Sequence, residues 1–182
     1  AARGYQGEKG DVKALAMKKW FNTNYHYMVP EIDDNTVLKL SDNKPFELFT
    51  EALDNGVKTT PVIIGPYTFL ELARYIGTKT KENFFGNITD AYIQIIGKFV
   101  ILGAEWLQLD EPCLVKDMSR EDIEFFNSLY TKILENKNGL KIRLQTYFGD
   151  VRDCYKEICA LDFDGIGLDF IEGKKTHELI EK

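Results

Sequence analysis

The stretch NITDAYIQIIGKFVILGAEWLQLDEP, Asn87–Pro112, joins a helical pattern to a strand pattern and decides the fold class. Ile88, Tyr92, Ile95, Ile96, Phe99 and Leu102 recur at helical spacing after Asn87, which can serve as N-cap. One face of that helix must be buried, and Gly103 offers a left-handed stop. Trp106–Leu109 then reads as a short buried strand, with the polar Asp110 and Glu111 and the turn-forming Pro112 at its end. A helix feeding directly into a buried strand is one half of a βαβ unit, the building block of a parallel sheet.

The same alternation extends in both directions. Strands are expected at Phe21–Tyr27, Pro61–Ile64, Ile142–Thr146 and Gly165–Asp169 as well as at Trp106–Leu109. Ser119 precedes a second helical stripe of Ile123, Phe126, Tyr130, Ile133 and Leu134, closed by Asn138 and Gly139. A short helix is expected around Tyr155 and Ile158, and another from Thr176. The reading is an α/β chain with about five parallel βα units, a partial (β/α)8 barrel, since a closed eight-stranded barrel takes about 250 residues. Residues 1–182 are read as one domain, the central piece of a larger barrel, with the first and last strands left as open edges through which two copies could pair.

Composition narrows the function classes. At 182 residues and 44% hydrophobic, the chain is long enough to bury a core. No apolar run reaches the roughly 18 residues of a membrane span, and the opening AARGYQGEKG lacks the pattern of a secretory signal, so a cytoplasmic protein is expected. Cys113, Cys154 and Cys159 form no paired framework, which fits a reducing compartment and inert thiols. A formal charge of -6 argues against a nucleic-acid partner. Residues 1–19 nevertheless carry Arg3, Lys9, Lys13, Lys18 and Lys19 against Glu8 and Asp11. Composition alone favours a solvated end there, with a local anion site as the other reading.

In a barrel, functional groups gather at the carboxyl ends of the strands. Residues standing there are Asn24, Tyr25 and His26, then Gly65, Pro66 and Thr68, Asp110 and Glu111, Thr146 and Tyr147, and Asp169. Adjacent carboxylates such as Asp110 and Glu111 can act as acid, base or ligand contact, or one of them can fix a loop by accepting backbone amides. Neighbours on a strand point to opposite faces, so the two should have different surroundings unless Pro112 re-aims one of them. Metal chemistry lacks support: His26 and His177 fall on different units, and Cys154 and Cys159 fall on different sides of a helix. GIGLD at Gly165–Asp169 lacks the third glycine of a dinucleotide fingerprint, and GPY at Gly65–Tyr67 lacks the end of a P-loop. The latter reads as a tight turn presenting backbone amides at the barrel mouth.

Five ordered blocks carry a family resemblance: KKWFNTNYHYMVPE from Lys18, TPVIIGPYTFL from Thr60, EWLQLDEPCLV from Glu105, RLQTYFG from Arg143 and DGIGLDFIEGK from Asp164. Together they resemble the amino-terminal domain of the cobalamin-independent methionine synthases, over nearly the whole chain. The resemblance implies a parent enzyme that moves a methyl group from 5-methyltetrahydropteroyltriglutamate to homocysteine. It implies that zinc and the methyl-transfer chemistry reside on a separate carboxyl-terminal barrel, so that this stretch holds no catalytic residue, metal or cofactor of its own. It also implies that Lys19, immediately before Trp20 and Phe21, contacts the polyglutamate tail of the folate; Asn24, His26, Asp110 and Glu111 are weaker candidates for lining the same site. Two rival readings remain open at this point. One is a stand-alone barrel of the uroporphyrinogen decarboxylase or corrinoid methyltransferase kind, with Asp110 or Glu111 as acid–base residue; the other is a non-catalytic binding module.

Overall fold

A computed structural model describes residues 4–7, 11 and 13–181. Arg3, Glu8 and Lys9, which contribute to the charge balance at the start of the chain, lie outside the described residues, as does Lys182. The elements run β1 (Met17–Lys19), β2 (His26–Met28), β3 (Glu31–Asp33), α1 (Lys44–Asp54), β4 (Val62–Ile64), α2 (Pro66–Leu72), β5 (Arg74–Ile76), α3 (Phe85–Ile101), β6 (Trp106–Asp110), α4 (Arg120–Leu134), β7 (Lys141–Gln145), α5 (Tyr155–Ala160), β8 (Gly165–Gly167) and α6 (Thr176–Ile180).

Four strands form the main sheet in the order β4-β6-β7-β8, and every neighbouring pair is parallel. Chain order is therefore also spatial order, as right-handed βα units of a barrel require. Alternation along the strands sorts the side chains. Leu107 and Leu109 of β6 and Ile142 and Leu144 of β7 are fully buried on the helix-covered face. Gln108, Asp110, Arg143 and Gln145 stand on the opposite face, which corresponds to the interior of a barrel. Phe99 of α3 and Phe126, Leu129, Tyr130 and Ile133 of α4 close over the apolar side, all with no exposed surface. Lys81 bridges Glu71 of α2 and Asp122 at the start of α4, so the same helical layer is tied at its rim.

Local sequence explains most of these boundaries. Ser119 caps α4 as expected, in a reciprocal box with Asp122. The start of α3 differs from the expectation at Asn87: a short 3-10 turn, Lys81–Phe84, capped reciprocally by Thr80 and Asn83, runs directly into Phe85. Helix α1 escaped the periodicity reading, although Pro45 stands in its first turn and Phe46 and Phe49 face inward. A parallel pair of short strands, β3 with β5, also lies outside the expected set.

The first expected strand needs correction. Phe21–Tyr27 does not run as a strand of the parallel sheet; β1 and β2 form an antiparallel hairpin, and residues 20–25 make its turn. The aromatic content of WFNTNYHY suggested extended backbone, but Phe21 adopts a positive φ of 51°. The Thr23 hydroxyl donates to the Trp20 carbonyl at 2.6 Å and accepts the Tyr25 amide at 3.1 Å. Hydrogen bonding by a threonine to its own neighbourhood closes turns of this kind, and it outweighed strand propensity here.

Candidate functional site

The hairpin turn lies on the loops that follow the strands of the main sheet. Phe21 stacks on Phe148, just beyond β7, with ring centroids 5.3 Å apart and planes 29° apart. The Lys116 ammonium, beyond β6, sits 5.7 Å from the Phe21 ring centroid. Asn22 donates to the Glu172 carboxylate, beyond β8, at 2.8 Å. Trp20 packs edge-on against both Phe21 and Tyr27 and reaches the Tyr147 hydroxyl. Three successive strand ends therefore hold one turn.

Register decides which hairpin side chains face outward. Lys19 is opposite His26, while Lys18 is opposite Tyr27. Opposed residues of an antiparallel pair share a face, so Lys19 and His26 stand together on the side away from Tyr27. Both are exposed, as is Asn24 in the turn. Lys19 makes no ion pair among the described residues.

Asp110 and Glu111 part company, as strand geometry requires. Asp110 faces the barrel interior, where it accepts Gln108 Nε2 at 2.7 Å and the Tyr147 hydroxyl at 3.1 Å. Arg143 donates to the Gln108 side-chain oxygen, so a polar file runs from Arg143 through Gln108 and Asp110 to Tyr147 beneath the hairpin. Burial and the neighbouring Asp110 charge push the Tyr147 hydroxyl above its ordinary pKa, which keeps it a proton donor.

Glu111 turns the other way and has no exposed surface. Its carboxyl accepts the amides of Tyr67 and Thr68 at 2.9 and 2.6 Å and the Tyr130 hydroxyl at 2.6 Å. The amides belong to the first turn of α2, whose N–H groups have no partner inside the helix. The expected GPY turn is thus the start of a helix, with Gly65 as N-cap and Pro66 at its first position. A Cβ on Gly65 would stand 2.2 Å from Glu111 Oε1, so the close approach demands glycine. Burial raises the Glu111 carboxyl to about 7, while hydrogen bonding from Thr68, Tyr130 and Tyr67 pulls it down. This arrangement is the loop-fixing one, and it leaves Glu111 no surface toward a ligand.

Asp169 was legible only as a polar strand end; its role appears in the structure. Its carboxylate accepts the amides of Phe148 at 2.8 Å, Ile171 at 2.8 Å and Glu172 at 2.9 Å. It thereby fixes the two loops that hold Phe21 and Asn22. These amide bonds oppose the effect of burial and hold the carboxyl below its ordinary value. Among the described residues no group of three or more His, Cys, Asp or Glu side chains could hold a metal ion. The Cys113 thiol is buried and pushed up to about 11, which suppresses its thiolate. No helix of the described chain is long and apolar enough to cross a membrane.

Parallel strands in chain order, helices on one face, a polar opposite face and loops gathered at the carboxyl ends define a segment of a (β/α) barrel. The chain belongs to the family described as cobalamin-independent synthase, N-terminal domain, whose model matches residues 1–182. It is 53% identical over 181 residues to a 5-methyltetrahydropteroyltriglutamate–homocysteine methyltransferase of Lactococcus lactis subsp. lactis, and 52% identical over 180 residues to one of Streptococcus thermophilus. These alignments cover 100% and 99% of this chain but 24% of each relative, so the chain spans about a quarter of their length. A crystal structure of a Listeria monocytogenes protein, assigned as a vitamin-B12 independent methionine synthase, superposes with a TM-score of 0.65 at 18% identity. That match covers 76% of this chain and 48% of the other and supports the fold.

Proposed function

We propose that this chain is part of the amino-terminal barrel of a cobalamin-independent methionine synthase, a cytoplasmic enzyme transferring a methyl group from 5-methyltetrahydropteroyltriglutamate to homocysteine. Its share is to scaffold the barrel and to meet the folate polyglutamate tail through Lys19, with His26 and Asn24 lining the same surface. Zinc and homocysteine are assigned to the carboxyl-terminal barrel, the partner of this domain. The observation that carries the reading is the placement of Lys19: an exposed ammonium on the outer face of a hairpin anchored over the strand ends, in a chain matched along its length by this family.

The chemistry is electrostatic. A triglutamate tail presents several carboxylates, and a charged hydrogen bond contributes about 1.5–3 kcal/mol when desolvated but less than about 1 kcal/mol when fully wet. A partly screened contact between these limits is expected. In the full-length enzyme, Lys19→Ala should raise the Michaelis constant for the triglutamate form about tenfold, equivalent to roughly 1.4 kcal/mol, and that for the monoglutamate much less. High salt should shrink the difference. Equal losses for the two forms would place Lys19 at the pterin or in a structural role, and no loss would make it an ordinary surface lysine.

This division of labour also predicts that the isolated chain forms no methionine from the methylated folate and homocysteine. Metal analysis should show far less than about one zinc per chain. Methionine formation by the chain alone would overturn the assignment of the chemistry to the other barrel.

A further inference from the structure

The proposed folate-tail site raises the question of what holds Lys19 in place, because the hairpin that carries it has only three residues in each strand. Two-stranded hairpins are marginally stable by themselves. The anchor must come from outside the hairpin, and the contacts around Phe21 and Asn22 supply it.

Phe21 and Phe148 both have positive φ, 51° and 73°, although neither is glycine. Such backbone is costly for an aromatic residue and persists only where surrounding contacts over-determine it. Here the two strained residues stack on each other. Tyr147 packs edge-on against Phe148 at 4.8 Å, and the Phe148 amide is held by the Asp169 carboxylate at 2.8 Å. The same carboxylate holds the amide of Glu172, whose side chain accepts Asn22. One half-buried carboxylate thus sets two loops that grip two consecutive residues of the turn, and Lys19 lies two residues before Phe21.

We propose that Phe148, seated by Asp169, is a positioning residue for Lys19: the Phe21–Phe148 stack fixes the hairpin in the orientation that presents the ammonium to a polyanionic tail. The proposal rests on the assignment of Lys19 to the folate tail and extends it to residues that do not touch the ligand. Neither Phe148 nor Asp169 is close to Lys19 in sequence, and the link passes through ring packing, the amides held by the Asp169 carboxylate and the Asn22–Glu172 side-chain bond.

The test is a mutant cycle in the full-length enzyme, read as the ratio of kcat/KM for the triglutamate to that for the monoglutamate. Phe148→Leu keeps apolar bulk but removes the stack, and it should lower this ratio about threefold to fivefold, with Phe148→Tyr restoring it. In the Lys19→Ala background, Phe148→Leu should produce no further loss of the ratio, because there is no ammonium left to misplace. If Phe148→Leu does not fold, Asn22→Ala cuts the exposed bond to Glu172 and should lower the ratio in the same selective, Lys19-dependent way. An unchanged ratio, or equal losses with and without Lys19, would overturn the positioning role. A normal ratio in Lys19→Ala alone would instead overturn the assignment of the tail to Lys19, so the two failures are distinguishable.

Discussion

Glu111→Ala should destabilise the folded chain by about 3–5 kcal/mol, the largest effect expected of any single polar substitution in it. The substitution removes the common acceptor of the Tyr67 amide, the Thr68 amide and the Tyr130 hydroxyl, leaving three donors without a partner in a site with no exposed surface. In a chain of this size the loss corresponds to a fall in Tm on the order of 10 °C. Thermal unfolding followed by circular dichroism decides it, and a change below about 1 kcal/mol would mean that water enters and replaces the carboxyl.

The pH dependence gives a second, signed readout at the same residue. The folded-state pKa of Glu111, about 7, lies above the ordinary 4.5 because burial disfavours the charge. A group raised in this way contributes its stability fully below pH 4.5 and loses it as pH rises through about 7. Stability should therefore fall by up to about 3 kcal/mol between pH 4.5 and pH 8. Asp122, Asp150 and Asp169 are held below their ordinary 3.8 and act with the opposite sign, contributing fully above that value and losing their effect as pH falls below it. Glu111→Gln should remove the decline on the neutral side while leaving the acid limb in place. A wild-type chain with no such decline would show that the three donors outweigh burial.

Phe99→Ala is the other large effect, expected to cost about 3–5 kcal/mol. The Phe99 ring is fully buried and meets Phe46 at 4.7 Å and Phe49 at 5.8 Å, the two apolar anchors of α1. Lys98 adds a contact over the Phe46 ring and a hydrogen bond to Asn43. Removal of the ring leaves a cavity between α1 and α3, so native-state hydrogen exchange should show the amides of α1 losing protection before those of β6 and β7. Uniform loss across the chain would mean that α1 has no separate mode of opening.

Much of the architecture was legible because it depends on local periodicity. The strands at Pro61–Ile64, Trp106–Leu109, Ile142–Thr146 and Gly165–Asp169 coincide with β4, β6, β7 and β8 to within two residues, since buried parallel strands read as short apolar runs. The Ser119 cap was readable for the same reason: a capping box is a contact between residues three apart. The hairpin was not, because WFNTNYHY satisfies strand propensity, and its turn is closed by the Thr23 hydroxyl and held by Phe148 and Glu172. Side-chain periodicity carries no information about partners more than 120 residues away.

The candidate site divides along the same line. Sequence by itself determined the order of the later βα units and the presence of carboxylates at a strand end, which follow from residue identity and spacing, and the five ordered blocks from Lys18 to Lys174 carried the family resemblance. Tertiary structure alone decided which carboxylate does what: Asp110 enters a polar file on the interior face, Glu111 is consumed by the first turn of α2, and Asp169 seats the loops beneath the hairpin. The physical reason is that a carboxylate's role is set by the donors and burial it meets. Beside near neighbours, those donors include the Phe148 amide, 21 residues from Asp169, and the Thr68 amide, 43 residues from Glu111, which meet their carboxylates only when the sheet and its helices close.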